Sequence, residues 1–194
     1  MSINPIRLRG NWDEGYAIDL HTISSIYIGD NAFGHPEYDT SRSKIGEMVY
    51  QLKYKFKREV AYDIIELIDP FLHSWHALKL VDVVIPVPPS TKSRDFQPVY
   101  LIAELIAKSL NKHYAFDLLE KVNIEQIKNL TSEEKVKAIS GSILKHRHFK
   151  KDVNILLVDD LYQSGITLNE VCTVLRKDGH VNNIYVLTMT KTRG

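Results

Sequence analysis

Residues 155–168 read ILLVDDLYQSGITL. Four consecutive aliphatic residues suit a strand buried on both faces, as in a parallel sheet. Asp159 and Asp160 stand where that strand leaves the core. A helix is predicted from about Thr167 to Lys177, stopping near Gly179. Strand, turn and helix in that order form half of a βαβ unit, and in open parallel sheets ligands bind beyond the carboxyl ends of the strands. The chemistry of this stretch therefore bears on function as well as fold.

The turn suits an anion. Its backbone N–H groups and the first turn of the helix offer unsatisfied donors and the positive end of a dipole. Ser164 and Thr167 add hydroxyls, and Gly165 permits a positive φ. There is no GK[ST] and no lysine within the turn, so it is not a Walker A loop. The two acids would repel a polyanion unless they serve another part of the ligand. Vicinal ribose hydroxyls or Mg²⁺ would suit them, and a ribose 5-phosphate fits both halves. The plainer reading makes Asp160 a helix cap and Asp159 a solvated strand end.

Outward from there, VDVVIPV at 81–87 is a second buried strand, and the helix after it begins near Pro98, with Val99, Ile102, Leu105 and Ile106 on one face. YAFDLLEK suggests a short strand and NIYVLTMT the last one. Upstream, 41–54 reads as a helix capped by Ser41 or Ser43, with Ile45, Met48, Val49 and Leu52 inward. A second amphipathic helix is expected over about 59–73. YAIDLHTISSIYI suits a strand or hairpin. Alternating strands and helices imply an α/β chain with a mostly parallel sheet covered on both faces. An N-terminal lobe over 1–80 and a core over 81–194, forming one structural unit, is the expected division.

The 194 residues carry 25 Lys+Arg against 24 Asp+Glu, 44% hydrophobic residues and a net charge of +1, which excludes a globally basic nucleic-acid binder. The single cysteine, Cys172, excludes an intrachain disulfide or a Cys-rich zinc site and suits a buried helical position. No stretch has the apolar length of a signal peptide core or a transmembrane helix, so a cytoplasmic location without membrane partners is expected. KHRHFKK at 145–151 suits a solvated connection, with nucleic acid or a metal as the sharper alternative. Trp12 and Trp75 suit packing. Lys53, Tyr54 and Lys55 either face a ligand or snorkel from a helix.

The stretch 155–168 resembles the phosphoribosyl pyrophosphate (PRPP) motif of the type I phosphoribosyltransferases. The resemblance implies that family's fold, with a small N-terminal hood. It assigns Asp159 and Asp160 to the ribose hydroxyls and Leu161, Tyr162, Gln163, Ser164, Gly165, Ile166 and Thr167 to the 5-phosphate. Gln163 stands where threonine is common. VVIPVPPSTKSRDFQPV is similar to the pyrophosphate loop of the ComF-like subgroup, so Val87, Pro88, Pro89, Ser90, Lys92 and Arg94 are implied to receive pyrophosphate. Gln126, Lys128 and Asn129 match a segment that forms a loop over the active site in that subgroup.

The function so implied is transfer of a phosphoribosyl group from PRPP to a nucleobase or other nitrogen acceptor. Mg²⁺ would be held mainly through PRPP, with Asp159 and Asp160 as its protein carboxylates. No general base is identifiable. A second reading, from the ComF-like association with DNA uptake and competence, is a non-catalytic PRPP-binding accessory protein with DNA-processing partners. A homodimer is the assembly expected.

Overall fold

A computed structural model describes residues 3–89, 96–122 and 141–193. The aliphatic run opens β9 (Val153–Tyr162), the centre of a six-stranded sheet. Strands β5 (Val83–Pro86) and β10 (Val181–Lys191) flank it in parallel. Beyond β10 lies parallel β2 (Glu14–Leu20), with antiparallel β1 (Ile6–Arg7) at the edge. Beyond β5 lies parallel β6 (His113–Tyr114). The order is β1-β2-β10-β9-β5-β6, a mostly parallel α/β sheet as the alternation predicts.

Ile155, Leu156, Leu157 and Val158 are fully buried. Strand alternation divides them between two cores. Leu156 and Val158 meet α1 (Lys44–Tyr54), α2 (Val60–Ser74) and α3 (Pro98–Ser109), through side chains such as Ile45, Ile64 and Ile102. Ile155 and Leu157 meet α4 (Ile166–Arg176) through Leu168, Val171 and Cys172. Each fully buried aliphatic side chain contributes about 1.5–3 kcal/mol over an exposed one, so the strand is fixed from both sides. Burial pushes the Cys172 thiol up to about 12, and it acts as a small apolar group.

The helix starts follow the sequence. Ser43 caps α1, its Oγ accepting from the Gly46 amide at 3.0 Å and donating to the Leu20 carbonyl. Gly46 lets this turn approach β2, since a Cβ there would stand 2.1 Å from the His21 carbonyl oxygen. Pro98 opens α3, where its missing N–H costs nothing.

Residues 1–80, read from the sequence as an N-terminal lobe, place two strands in the central sheet and two helices in its cover. What stands apart is a hairpin of β3 (Thr22–Asp30) and β4 (Pro36–Arg42), between β2 and α1. A smaller hairpin, β7 (Leu119–Lys121) with β8 (Ile143–Lys145), packs on the α4 side. Trp12 and Trp75 are both core residues, one in each layer.

The basic run at 145–151 finds partners for three of its residues within its own chain. Lys145 pairs with buried Asp178, Arg147 with Asp117 and His146 with Glu120. Burial would raise Asp178, but Lys145 and the Phe149 and His180 amides outweigh it and hold the carboxyl well below the usual range. No helix among the described residues is long and apolar enough to cross a membrane.

Candidate functional site

The connections from the two central strands diverge. β9 leads through α4 to β10 on one side; β5 leads through α3 to β6 on the other. Such a switch point opens a crevice beyond the carboxyl ends of the adjacent strands. A cleft of about 320 Å³ lies there, lined by the segment just after β5 and by residues of β9, α3, α4 and the end of α1. Asp159, Asp160, Leu161, Gln163 and Thr167 line it from one motif, and Val87, Pro88 and Pro89 from the other. The structure thus brings together two motifs with 71 residues between Val87 and Asp159.

The acids lie within β9, two residues short of its end. β10 continues opposite them, with Thr188 paired to Asp159, Thr190 to Leu161 and Lys191 to Tyr162. Leu161 and Tyr162 are accordingly strand residues, and the turn shortens to Gln163, Ser164 and Gly165. A run of polar residues looks like a strand end locally, but the polar partners on β10 carry the ladder two residues past the acids.

Alternation sends the acids to opposite faces. Asp160 follows Leu156 and Val158 toward α1, where Lys53 Nζ donates to its Oδ2 at 2.7 Å. Asp159 follows Ile155 and Leu157 toward the α4 side, and its Oδ1 accepts from the Asp160 amide at 2.8 Å. Burial, then the charge of Asp160, pushes the Asp159 carboxyl up to about 8. Lys53 and Lys121 act in the opposite direction. Lys121 is buried on β7, and burial lowers its pKa against the pull of Asp159. His21 completes the surroundings: its Nδ1 lies 3.1 Å from Thr190 Oγ1, which donates to the Asp160 carbonyl. Burial, then Arg42 and Lys53, hold the imidazole below its usual pKa.

The acid pair therefore meets the cleft with part of its charge already offset. With side-chain exposures of 25% and 14%, Lys53 and Asp160 form a partly buried pair. Lys53→Met should cost about 1–3 kcal/mol by leaving Asp160 uncompensated. In an Asp160→Asn background that loss should largely vanish, since the two effects share one interaction. Urea unfolding of the four proteins measures both. Additive losses would mean that Lys53 stabilises by packing alone.

Beyond the acids, Gly165 is the N-cap of α4, with φ +74° and no side-chain cap bond. The first amides of α4 consequently have no capping side chain. Thr167 faces the cleft from this first turn. The N-terminus of α3 approaches from the other wall with Gln97, Pro98 and Val99. Two helix dipoles thus direct their positive ends at one cleft.

Of the other residues assigned by resemblance, Ser164 is exposed in the turn and Ile166 opens α4. Ser90, Lys92, Arg94, Gln126, Lys128 and Asn129 lie outside the described residues. The sequence reading left Lys53 and Tyr54 undecided and did not give Gln97, Pro98, Val99 or His21 a place at the site. Pro98 at the start of a helix after a parallel strand was the available signal for the α3 wall.

No family model matches the chain, and no curated protein matches it. Among solved structures, it is similar to a hypoxanthine phosphoribosyltransferase from Staphylococcus aureus, at 14% identity over 66% of this chain, with a TM-score of 0.43. The chain spans 62% of that enzyme's length. It is also similar to adenine phosphoribosyltransferase from Trypanosoma brucei, solved with AMP, pyrophosphate and ribose-5-phosphate, at 13% identity over 98% of this chain and 87% of that one, with a TM-score of 0.45. UMP synthase from Leishmania donovani matches at 17% identity over 82% of this chain and 27% of that one, with a TM-score of 0.36.

Proposed function

We propose that the chain binds PRPP with Mg²⁺ and transfers its phosphoribosyl group to a nitrogen acceptor. One observation carries the reading: an acid pair and a donor-lined turn at the end of one strand share a cleft with the Pro-rich end of its neighbour. Carboxylates accept hydrogen bonds from sugar hydroxyls, and helix N-terminal amides hold phosphate. A ligand that is both sugar and anion uses both.

In the reaction the bond from ribose C1 to pyrophosphate breaks and a bond from C1 to the acceptor nitrogen forms, with loss of a proton from that nitrogen. Positive charge develops on the ring, as in glycoside cleavage. Asp159 and Asp160 orient the ribose and sit where that charge is stabilised. The turn from Gln163 to Thr167 anchors the 5-phosphate. Residues 87–94 receive the leaving group.

The donor set fits Mg²⁺ as a companion of the substrate. The described residues hold no cluster of three or more His, Cys, Asp or Glu suited to a metal. Asp159 and Asp160 are the carboxylates that would hold the ion, alongside ligand oxygens and water, and it would offset pyrophosphate charge.

Thermal unfolding with and without millimolar PRPP and Mg²⁺ tests the binding step. A rise of several degrees is expected, absent in Asp159→Asn/Asp160→Asn. No rise in the wild-type protein would refute PRPP binding. Pyrophosphate release across a panel of purine and pyrimidine bases then tests turnover; binding without release would make the chain a PRPP receptor.

A further inference from the structure

The connection between α1 and α2 is basic and aromatic at once. Residues 53–58 read KYKFKR and run from the last turn of α1 toward α2. Tyr54 is 53% exposed and Phe56 61%, and Lys55, Lys57 and Arg58 are exposed beside them. Lys53 and Tyr54 also line the cleft, so this rim is continuous with it.

Its cations are placed differently from those of 145–151, where Lys145, His146 and Arg147 meet carboxylates. In the rim, among the described residues, Lys53 alone forms an ion pair. Lys57 Nζ donates to the Gln51 side-chain oxygen at 3.4 Å, and the Arg58 guanidinium lies 4.7 Å over the Phe96 ring. Lys55, Lys57 and Arg58 thus carry positive charge that no acid among the described residues offsets. The rings are held ready. Tyr54 packs on Tyr50 at 5.2 Å between centroids, and the Arg42 guanidinium in turn lies 3.9 Å over Tyr50. Phe56 has φ +54°, a left-handed conformation that is costly for a bulky side chain. Its exposed ring returns little packing for that strain, and strain of this kind collects where ligands are held.

We propose that the 53–58 rim binds single-stranded nucleic acid, with bases against Tyr54 and Phe56 and phosphates beside Lys55, Lys57 and Arg58. Cations interleaved with exposed rings match a strand in which bases and phosphates alternate. A duplex keeps its bases stacked on one another and leaves the rings unused. An acidic peptide brings charge without planar faces. An anionic bilayer would press against a cleft mouth that carries Asp159 and Asp160.

Fluorescence anisotropy of the full chain with labelled dT and U strands of about 15 nucleotides tests the surface. A duplex of equal length and vesicles containing phosphatidylserine are the competing ligands. Either strand should bind at about 50 mM salt and weaken as salt rises. Lys55→Gln/Lys57→Gln should weaken binding roughly tenfold or more and flatten its salt dependence. Lys150→Gln/Lys151→Gln, an equal charge change at exposed positions of the other run, should not. Phe56→Gly keeps the fold, because glycine adopts this φ without strain, and should weaken binding roughly fivefold or more with the salt dependence unchanged. The proposal is overturned if neither strand binds by about 100 µM protein, far above the usual range for non-specific sites at low salt. Tighter binding of the duplex or the vesicles overturns it too, as does full affinity in Phe56→Gly.

Discussion

Replacing Gly165 by valine should abolish anion binding at the turn and cost the fold about 2–4 kcal/mol. Two independent demands meet at this residue. Its φ of +74° lies in the left-handed region, where a β-branched side chain is strained. A Cβ there would also stand 2.7 Å from Tyr162 Oη and 3.0 Å from Tyr162 Cε2. The Tyr162 ring is held edge-on against Trp12, at 6.5 Å between centroids, so moving it disturbs the packing beneath. Relaxing the strain rotates the peptide that begins α4 and misaligns the amides that the proposed phosphate needs. Gly165→Ala should fall between valine and wild type. Gly179→Ala is the control: its φ is not in the left-handed region and no heavy atom would meet its Cβ within 4 Å, so a change within about 0.5 kcal/mol is expected. Urea unfolding reads the stability, and calorimetric titration with ribose 5-phosphate reads the cup. Wild-type affinity in Gly165→Val would remove the turn from the site.

Local sequence announced those parts of the fold that depend on local physics. ILLV and VVIP are buried on both faces because every residue is apolar, and the stripes of α1, α2 and α3 face the core they predict. Long-range pairing was harder to read. β2 joins the sheet through β10, from Tyr185 to Glu14 at the start of the ladder, and nothing local in EGYAIDL names a partner so distant in sequence. The same limit moved the end of β9, since Thr190 and Lys191 on β10 extend the ladder past the acids. At the site, the motif showed the acids and the turn, but the sequence left Lys53 between facing a ligand and snorkelling, and the fold places it 2.7 Å from Asp160. The basic run at 145–151, read as a solvated connection, has ion-pair partners that the sequence does not point to. Its charge is conspicuous in the sequence, while Asp117, Glu120 and Asp178, which offset it, are scattered.

Asp159→Asn should stabilise the protein at alkaline pH while removing its response to PRPP. In the folded chain burial, reinforced by Asp160, pushes the Asp159 carboxyl up to about 8. In the unfolded chain the same group titrates near the usual aspartate value, about 3.9. Between these values the folded state keeps a proton that the unfolded state releases. The favourable contribution of the protonated carboxyl is complete below about pH 4 and lost as pH rises through about 8. Asparagine has no such proton to lose. The variant should match wild type near pH 4 and exceed it by on the order of 2–4 kcal/mol above about pH 8. Urea midpoints across that range measure the divergence, and an asparagine variant less stable at every pH would refute it. An amide also offers one acceptor oxygen where the ionised carboxylate offers two, so the grip on vicinal hydroxyls is lost. Under the proposed function, ligand binding is what offsets the cost of ionising this carboxyl. Asp159→Asn therefore separates the two roles: stability gained above pH 8, together with loss of the PRPP-induced rise in melting temperature, would place the acid there for binding.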